Sequence, residues 1–428
     1  MHELTKLIRE DMRPALGVTE PGAIAFAVAL ARKYVEGEVT AVKVSLNSGM
    51  YKNAFTCGIP NSSEYGNLYA AALGAVAADA ERGLESLGSI TEADNEKAKQ
   101  LVEEGKIEVI LDHMGSEITI DAKVKTAQDS CKVSISGGHT DVQRIEKNCE
   151  VIFQKENAEK SGSEEKKEEK AAIHGYTLAQ ILEYVENVPV REIDFIRDAF
   201  SMNMELLEEG MQSERTTIGS MLLKQNGNKI ISEDAWKTAQ LMCNGAIEAR
   251  VLGLSRPAMS ITGSGAHGII ATMPLFAWYE VNREELMEES LLRATALSYL
   301  ITMYIKEYSG KLSAFCGCGI AAGTGMACGL AYLRGGSEKE LAMVIRNMSS
   351  GLTGMICDGG NQGCAMKGIV AVDAAFRAVD MALQGVSIDG IHGINGRTPE
   401  DTMRNMGLIA SPGMVETEET IVKIMQNK

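Results

Sequence analysis

The chain begins with hydrophobic residues at helical spacing. This spacing predicts a short amphipathic helix that ends before Pro14, and its apolar side chains are Leu4, Leu7, Ile8 and Met12. A second helix is predicted to begin at Pro21, because proline suits the first helical position. The segment TAVKVSLN then alternates apolar and polar residues, with Val42, Val44 and Leu46 on one face, which is typical of a half-buried strand.

Four later segments of the N-terminal part have a similar strand-like pattern: KIEVIL, EITIDAKVK, CKVSIS and CEVIF. Between the first strand and these four, one helix rich in small residues and one rich in charged residues are predicted, near LYAAALGAVAADA and EADNEKAKQLVEEG. We therefore predict that residues 1–172 form a mixed α/β domain with a mainly antiparallel sheet.

The pattern changes after a charged, serine-rich segment at residues 155–170, KENAEKSGSEEKKEEK. This segment has no large apolar side chain to anchor it, so it is predicted to be a solvated linker or loop. Beyond it the pattern is helical almost without interruption, and no strand of comparable quality follows residue 175. Residues 173–428 are therefore predicted to form an all-helical domain, and the expected fold class is α+β.

Composition narrows the class of function. The 58 acidic and 42 basic side chains give a net charge of −16, which argues against nucleic acid or an anionic membrane as a partner and favours a small-molecule enzyme. The N-terminus is charged, and the longest apolar run, AIAFAVALA, has about half the length of a bilayer span, so we expect a cytoplasmic protein. We also expect a homodimer, because helices rich in Met, Ala and Gly can present an apolar face to a second copy.

Five of the nine cysteines lie between Cys316 and Cys364, and in a reducing compartment they are expected to be free thiols or ligands. Glycines surround Cys316, Cys318, Cys357 and Cys364, and glycine-flanked thiolates suit a bulky inorganic ligand such as an iron–sulfur cluster. Zinc is the nearest rival, although its usual C-x-x-C pairs and nearby histidines are missing here. Burial as small apolar side chains is the third interpretation, and it is favoured for Cys328 and the isolated cysteines.

Other candidate residues lie in glycine turns and at helix starts. The turns SGGHTD and TGSGAHG contain His139 and His267, which can transfer protons at neutral pH, although one histidine alone is more often structural. The backbone N–H groups of TGSGAHG, ahead of a helix, can hold a carboxylate. In GVTEP, Thr19 suits a helix cap and Glu20 lies beside it, while SLNSGMYKN is a polar turn after a strand.

In chain order, these segments resemble those of a known family, the L-cysteine desulfidases, which are relatives of the iron–sulfur L-serine dehydratases. The resemblance runs nearly end to end, and its markers are PALGVTEP, NSGMYKN, SISGGHT, TGSGAHGI, LSAFCGCGIAAGTG and ICDGGNQGCAMK. It implies a [4Fe-4S] cluster in the helical domain, held by three cysteines, with one iron open to act as a Lewis acid. The implied ligands are Cys316, Cys357 and Cys364, with Cys318 as the alternative to Cys316.

The chemistry that the resemblance implies is β-elimination from a small amino acid. The open iron polarises the β-thiol or β-hydroxyl, a base removes the α-proton, and the released enamine hydrolyses to pyruvate and ammonia. L-cysteine is the expected substrate, with sulfide as the third product, and L-serine is the alternative. The cluster replaces pyridoxal phosphate, since no lysine of this sequence lies in a context typical of a Schiff base.

This sequence departs from the desulfidases in the early motif. The family usually has G-C-T-E-P there, with a catalytic role assigned to its cysteine, and this chain has Val18 instead. Because valine cannot carry a proton, either the substrate differs from cysteine or the base is one of Glu20, His139, His267 and Lys367. The expected donors to the substrate are Thr19, Asn47, Lys52, Asn53, Gly138, Thr140, Ser264 and Gly265.

Two other interpretations stay open from the sequence. The first is a non-enzymatic cluster protein that senses oxygen or iron, although the sequence has no basic nucleic-acid-binding patch and no recognisable effector domain. The second is a binding module for a small carboxylate whose cysteines hold a structural zinc ion or no metal. Metal analysis of anaerobically purified protein separates iron from zinc.

Overall fold

The computed structural model describes residues 1–155, 171–310 and 312–428. The strands are β1 (Arg13–Leu16), β2 (Ala41–Asn47), β3 (Ile107–His113), β4 (Thr119–Lys125), β5 (Ser130–Ser136), β6 (Val142–Lys147), β7 (Glu150–Gln154) and β8 (Pro257–Ser260). The helices are α1 (Glu3–Asp11), α2 (Thr19–Arg32), α3 (Ser48–Ala54), α4 (Gly66–Val76), α5 (Glu92–Glu103), α6 (Leu178–Asn187), α7 (Val190–Ile193), α8 (Arg197–Gln212), α9 (Ile218–Gln225), α10 (Ala235–Val251), α11 (Gly265–Val281), α12 (Glu288–Ser309), α13 (Gly323–Leu333), α14 (Glu338–Leu352), α15 (Gly363–Leu383), α16 (Pro399–Ala410) and α17 (Val415–Gln426).

Strands β2 to β7 form one sheet in the order β3-β2-β4-β5-β6-β7. The pair β2–β3 is parallel and the other pairs are antiparallel, which confirms the predicted mainly antiparallel sheet. The alternation in β2 places Val42, Val44 and Leu46 in the interior, where α2 and α4 pack against the sheet. The residues of β2 alternate between buried and more exposed positions because these two helices cover one face of the sheet.

Helices form most of the chain after residue 171, as the sequence predicted. Helices α10 to α13 pack against one another, with α15 beside α10 and α13, through a core of mostly small and aliphatic side chains. One short strand, β8, lies among these helices and pairs with β1 in antiparallel register, from Arg13 opposite Ser260 to Leu16 opposite Pro257. The sequence analysis missed this strand because four residues give too little alternation to detect.

The two ends of the chain pack against distant elements. Leu4 and Ile8 of α1 are buried in the core of the helical part, and α17 packs against α3, which directly follows β2.

The observed architecture is the expected α+β class. The proposed linker at residues 155–170 lies outside the described residues except for Lys155. Within the described ranges, none of the helices combines the length and apolar character needed to cross a bilayer.

Candidate active site

A cavity of about 350 Å³ lies where the N-terminal and helical parts meet. Its walls come from the start of α2, the turn between β5 and β6, the start of α11 and the end of α12. The rest comes from two cysteine segments, AFCGCGIAAG at residues 314–323 and MICDGGNQGCAMKG at residues 355–368. The sequence-predicted residues that line it are Glu20, Asn53, Gly138, His139, Ser264, His267, Cys318, Cys357 and Cys364. The fold therefore brings most of the motifs, which are far apart in sequence, to one place.

The two cysteine segments lie side by side because their backbones are hydrogen-bonded. The Cys316 N–H donates to the carbonyl of Met355 over 3.0 Å, and the Cys357 N–H donates to the carbonyl of Ala314 over 2.6 Å. These bonds form a short antiparallel bridge between the segments. The spacing of about forty residues between the cysteines in sequence is thereby closed in space.

Cys318 and Cys364 enter the cavity wall from the starts of helices. Cys318 begins a π-helical turn, Cys318–Ala322, that continues into α13, and such turns are frequent at functional sites. Cys364 lies in the first turn of α15. Gly317 allows the closest approach, because a Cβ atom at this position would lie 2.7 Å from Nε2 of His267. Glycine therefore lets the cysteine segment lie directly against an imidazole.

The four thiols interact electrostatically with one another, and Cys316 differs from the other three. A hydrogen bond with the Cys318 thiol, aided by the Gly319 N–H, lowers the pKa of Cys316 to about 7. The same contact and burial raise the pKa of Cys318 well above its ordinary value. Burial raises the pKa of Cys364 to about 11 and also raises the pKa of Cys357. Cys316 is 3% exposed and lies behind the lining of the cavity.

This donor set fits an iron–sulfur cluster. Cys318, Cys357 and Cys364 present three soft sulfur donors to one cavity, which is the ligand type that such clusters require. Among the residues that the structure describes, no group of three His, Cys, Asp or Glu side chains is close enough to hold a single metal ion. A cluster differs from a single ion because each thiolate binds a separate iron atom.

Another part of the wall carries a buried carboxylate from the start of α2. Glu20 is 7% exposed and accepts a hydrogen bond from Nδ2 of Asn53 over 2.9 Å. Nε2 of His139 lies 4.0 Å from Oε1 of the same carboxylate. Val18, the position where the desulfidases usually have cysteine, is buried and also lines the cavity. This part of the wall therefore presents one negative charge, one imidazole and one apolar side chain.

His267, in the first turn of α11, is oriented by the loop that precedes the helix. Its Nδ1 is 2.5 Å from Oγ1 of Thr262, and that hydroxyl donates to the carbonyl of Ile261 over 2.8 Å. Because the single hydroxyl proton of Thr262 is engaged there, both contacts are satisfied only when Nδ1–H is the donor. Nε2 is then an unprotonated acceptor. Burial, with the positive charges of Lys306 and Arg250, lowers the pKa of His267 well below its ordinary value.

Thr262 is itself held from another element. Its backbone N–H donates to Oδ2 of Asp11, at the end of α1, over 2.5 Å, and its φ of 51° is unusual for a residue other than glycine. Burial is the main reason that the pKa of Asp11 is raised. A chain of contacts therefore links Asp11 to Thr262 and to the imidazole of His267, and the sequence analysis found only its last member.

Two cations that the sequence analysis missed also line the cavity. Arg250, in the last turn of α10, is 4% exposed, and Lys306, near the end of α12, is 8% exposed. The Lys306 ammonium donates to the carbonyl of Gly310 over 2.8 Å, and burial lowers its pKa. A basic residue in the last turn of a helix is common because it interacts favourably with the helix dipole, so the sequence carried no special signal.

Two polar residues predicted to bind substrate lie outside the cavity lining and have structural partners. The Lys52 ammonium is buried and donates to Oε2 of Glu418 over 2.6 Å and to the carbonyl of Ser313 over 2.9 Å. Asn47 is also buried, and its Nδ2 donates to the carbonyl of Gly115 over 2.8 Å. These bonds hold α17 and the loop after β3 in place.

The remaining predicted residues also lie outside the cavity lining. Lys367 pairs with Asp358, and although burial opposes it, this contact and the nearby thiols raise the pKa of Lys367. Thr19 donates from Oγ1 to the carbonyl of Gly263 over 3.4 Å, which ties the start of α2 to the loop before α11. The others are Thr140, in the turn between β5 and β6, and Gly265, the first residue of α11.

The sequence of this chain is similar to those of known proteins over nearly its whole length. The chain is 41% identical to a UPF0597 protein of Clostridium botulinum (strain Okra / Type B1), over 99% of this chain and 98% of that protein. It is 36% identical to a UPF0597 protein of Caldanaerobacter subterraneus subsp. tengcongensis and 33% identical to one of Clostridium tetani, with the same coverage of both chains. The sequence model of the family described as serine dehydratase alpha chain matches residues 81–423. The chain therefore belongs to the serine dehydratase alpha chain family.

Proposed function

We propose that this protein is a [4Fe-4S]-dependent lyase that catalyses β-elimination from a small amino acid. Family membership indicates a lyase of the serine dehydratase type. L-cysteine, converted to pyruvate, ammonia and sulfide, is our first candidate substrate, and L-serine is the second. The observation that carries the proposal is the convergence of Cys318, Cys357 and Cys364 on one cavity that also contains a buried imidazole.

Cys318, Cys357 and Cys364 are the ligands that we propose for the cluster. Cys318 lines the cavity, whereas Cys316 lies behind it, so the geometry favours Cys318 in the first position. Cys316 stays the alternative, because its lowered pKa favours the thiolate that a ligand must be. When bound, the cluster would supply a Lewis-acidic iron that polarises the bond between the β-carbon and its sulfur or oxygen.

His267 is the base that we propose for the α-proton. Its Nε2 carries the free lone pair, and its lowered pKa keeps the imidazole neutral at physiological pH. Lys367 is less suitable, because its raised pKa keeps it protonated. Glu20, held by Asn53 and close to His139, is instead suited to accept hydrogen bonds from the substrate ammonium group.

The proposed step is balanced without a further reactant. The α-carbon loses its proton to Nε2 of His267, and the electron pair of that bond forms the carbon–carbon double bond. The β-substituent leaves with its own bonding pair, as hydrogen sulfide or hydroxide ion, and takes up the proton from His267. The enamine that is released tautomerises, and water hydrolyses it to pyruvate and ammonia.

A cytoplasmic location and a homodimer stay predictions of the sequence.

Anaerobic reconstitution of the wild type beside two cysteine variants tests this proposal. The wild type should hold about four iron and four sulfide atoms per chain and release pyruvate from L-cysteine or L-serine, with sulfide released only from L-cysteine. Cys318→Ala should lose most of its iron and its turnover, whereas Cys149→Ser should keep both, because Cys149 is an exposed thiol in the turn after β6.

Two results would count against the proposal. A wild type that binds zinc rather than iron would favour a structural metal site, and an iron-loaded wild type that turns over neither amino acid would favour a non-enzymatic cluster protein. Cys316→Ala separates the two possible ligand sets, because we expect it to retain more iron than Cys318→Ala does.

A further inference from the structure

Arg250 lies on the wall of the cavity, where its guanidinium group can reach a bound ligand. It lies in the last turn of α10, it is 4% exposed, and it lines the cavity. Its side chain packs against Gly265, where a Cβ atom would lie only 2.6 Å from Nε of Arg250. A larger residue at the first position of α11 would displace the guanidinium group, so the glycine allows the arginine to lie at the end of that helix.

Arg250 is a cation buried in the interior. Within residues 1–155, 171–310 and 312–428, no carboxylate forms an ion pair with it, and its buried Nε has no hydrogen-bond partner. A buried charge without a counterion is costly, and proteins usually pair such groups or hydrogen-bond them. Lys306 adds a second positive charge to the same cavity. An anion that enters the cavity would therefore meet a guanidinium group that has no ion-pair partner among the described residues.

The start of α11 points to the same kind of ligand. Among the described residues, no acceptor is found for the backbone N–H group of Ala266, which lines the cavity. Unsatisfied N–H groups and the positive end of the helix dipole together attract a carboxylate or another anion. The helix has seventeen residues, and its first turn also contains His267. Arg250 and the N-terminus of α11 thus present hydrogen-bond donors to one location.

We propose that Arg250 and the N-terminus of α11 bind the α-carboxylate of the substrate. A planar guanidinium group matches a carboxylate with two parallel hydrogen bonds, and neither Lys52 nor Asn47 lies in the cavity lining to do so. Because His267 lies in the same helical turn, a carboxylate bound here brings the α-carbon close to the imidazole. The assignment rests on the proposed function only in identifying the carboxylate as that of an amino acid.

Binding of L-alanine tests the site without turnover, because L-alanine has an α-carboxylate but no leaving group on its β-carbon. The anaerobically reconstituted wild type should bind L-alanine and should bind L-alaninamide, which lacks the negative charge, at least about tenfold more weakly by calorimetry. This comparison needs no variant. Equal binding of the two compounds would overturn the proposal.

Variants then identify the residue. Arg250→Met should weaken L-alanine binding about tenfold or more and weaken L-alaninamide binding less, because the amide has no negative charge to lose, and Arg250→Lys should show a smaller loss because it keeps the charge. Arg256→Met is the matched control, because Arg256 is exposed on the loop just after α10 and should have no effect. The melting temperature of ligand-free Arg250→Met should equal or exceed that of the wild type, since an unpaired buried charge is removed.

The outcomes separate this inference from the proposed function. Arg250-dependent binding of L-alanine by a protein that turns over neither L-cysteine nor L-serine would support the carboxylate site and contradict the lyase. Turnover by the wild type together with unchanged L-alanine binding in Arg250→Met would overturn the site and leave the lyase standing. A marked fall in the melting temperature of Arg250→Met would also overturn it, because that result indicates a structural role.

Discussion

Two buried cations near the cavity have opposite surroundings. Lys52 donates to Glu418 and to the carbonyl of Ser313, so its charge is balanced within the protein. Arg250 lines the cavity and forms no ion pair with any carboxylate in the described part of the chain. Lys52 was predicted to bind substrate because it lies in the motif NSGMYKN. Arg250 becomes a candidate only in the structure, because its buried Nε has no hydrogen-bond partner among the described residues. A buried charge that the protein itself neutralises is a structural group, and one that it leaves without a partner is available to a ligand.

Substitution of Lys52 should produce the largest change in stability. Lys52→Met leaves the Glu418 carboxylate buried without its cation, and we expect the free energy of unfolding to fall by about 3–5 kcal/mol in chemical denaturation. Lys423→Met, which removes an exposed partner of Glu419 in the same helix, should change it by less than about 1 kcal/mol. If the two variants are equally stable, the buried pair is not the structural group described above.

Substitution of His267, the neighbour of Arg250 in the cavity wall, tests its proposed role as the base. His267→Gln keeps a side chain that can hydrogen-bond Thr262 but has no basic nitrogen, so kcat should fall about a hundredfold while the melting temperature changes little.

The pH dependence of wild-type activity follows from the lowered pKa of His267. Burial, Lys306 and Arg250 lower the pKa of His267, so the imidazole stays neutral as the pH falls through 6.5 and kcat/KM should not decline there. The carboxylates that line the same cavity are Asp11, Glu20 and Glu307. A decline of kcat/KM centred on pH 6.5 would indicate an imidazole whose pKa is not lowered by burial, Lys306 and Arg250. That result would contradict the assignment of His267 as the base.

A third buried charge gives the smallest effect, because hydrogen bonds rather than a cation stabilise it. Glu248 accepts from the N–H groups of Thr217 and Gly219 at the start of α9, over 3.0 and 2.7 Å, and from Nε2 of Gln362 over 2.7 Å. Burial alone would raise its pKa, but these bonds outweigh burial and lower it. Glu248→Gln should therefore reduce the free energy of unfolding at pH 7 by about 1–2 kcal/mol.

The pH dependence of this loss has a defined sign. A carboxyl group with a lowered pKa in the folded state stabilises the protein above its ordinary value of 4.5, and this contribution disappears as the pH falls through the lower, folded value. The stabilities of the wild type and Glu248→Gln should converge below pH 4.5. A difference that stays constant from pH 7 to pH 3 would mean that packing, not charge, explains the loss.

The sequence predicted those parts of the molecule that depend on local periodicity. The alternation in β2 and the long helical patterns were sufficient for the sheet and the helices, and the glycine-flanked motifs located His267 and the cavity cysteines. The pairing of β1 with β8 could not be predicted, because each strand has four residues and its partner lies more than two hundred positions away. No local pattern records such a contact.

Arg250 and Asp11, which the sequence did not indicate as site residues, also depend on contacts between distant parts of the chain. Arg250 is a basic residue in the last turn of its helix, and Asp11 is the last residue of an exposed-looking amphipathic helix, so both resemble ordinary surface positions. Their roles arise from contacts between distant elements, such as the bond from the Thr262 N–H to Asp11. Conversely, Lys52 resembled a solvent-exposed residue of a polar turn, but it is buried where α17 packs against α3.

The contact of α17 with α3 also bears on how the protein is made. Lys52 is synthesised 366 positions before Glu418, and its other acceptor, Ser313, directly precedes the first cysteine segment. On the ribosome the N-terminal sheet can therefore form early, but the Lys52 ammonium gains its counterion only after α17 has emerged. We expect a nascent chain to fix the position of Ser313, and of the cysteine segment that follows it, later than the N-terminal sheet.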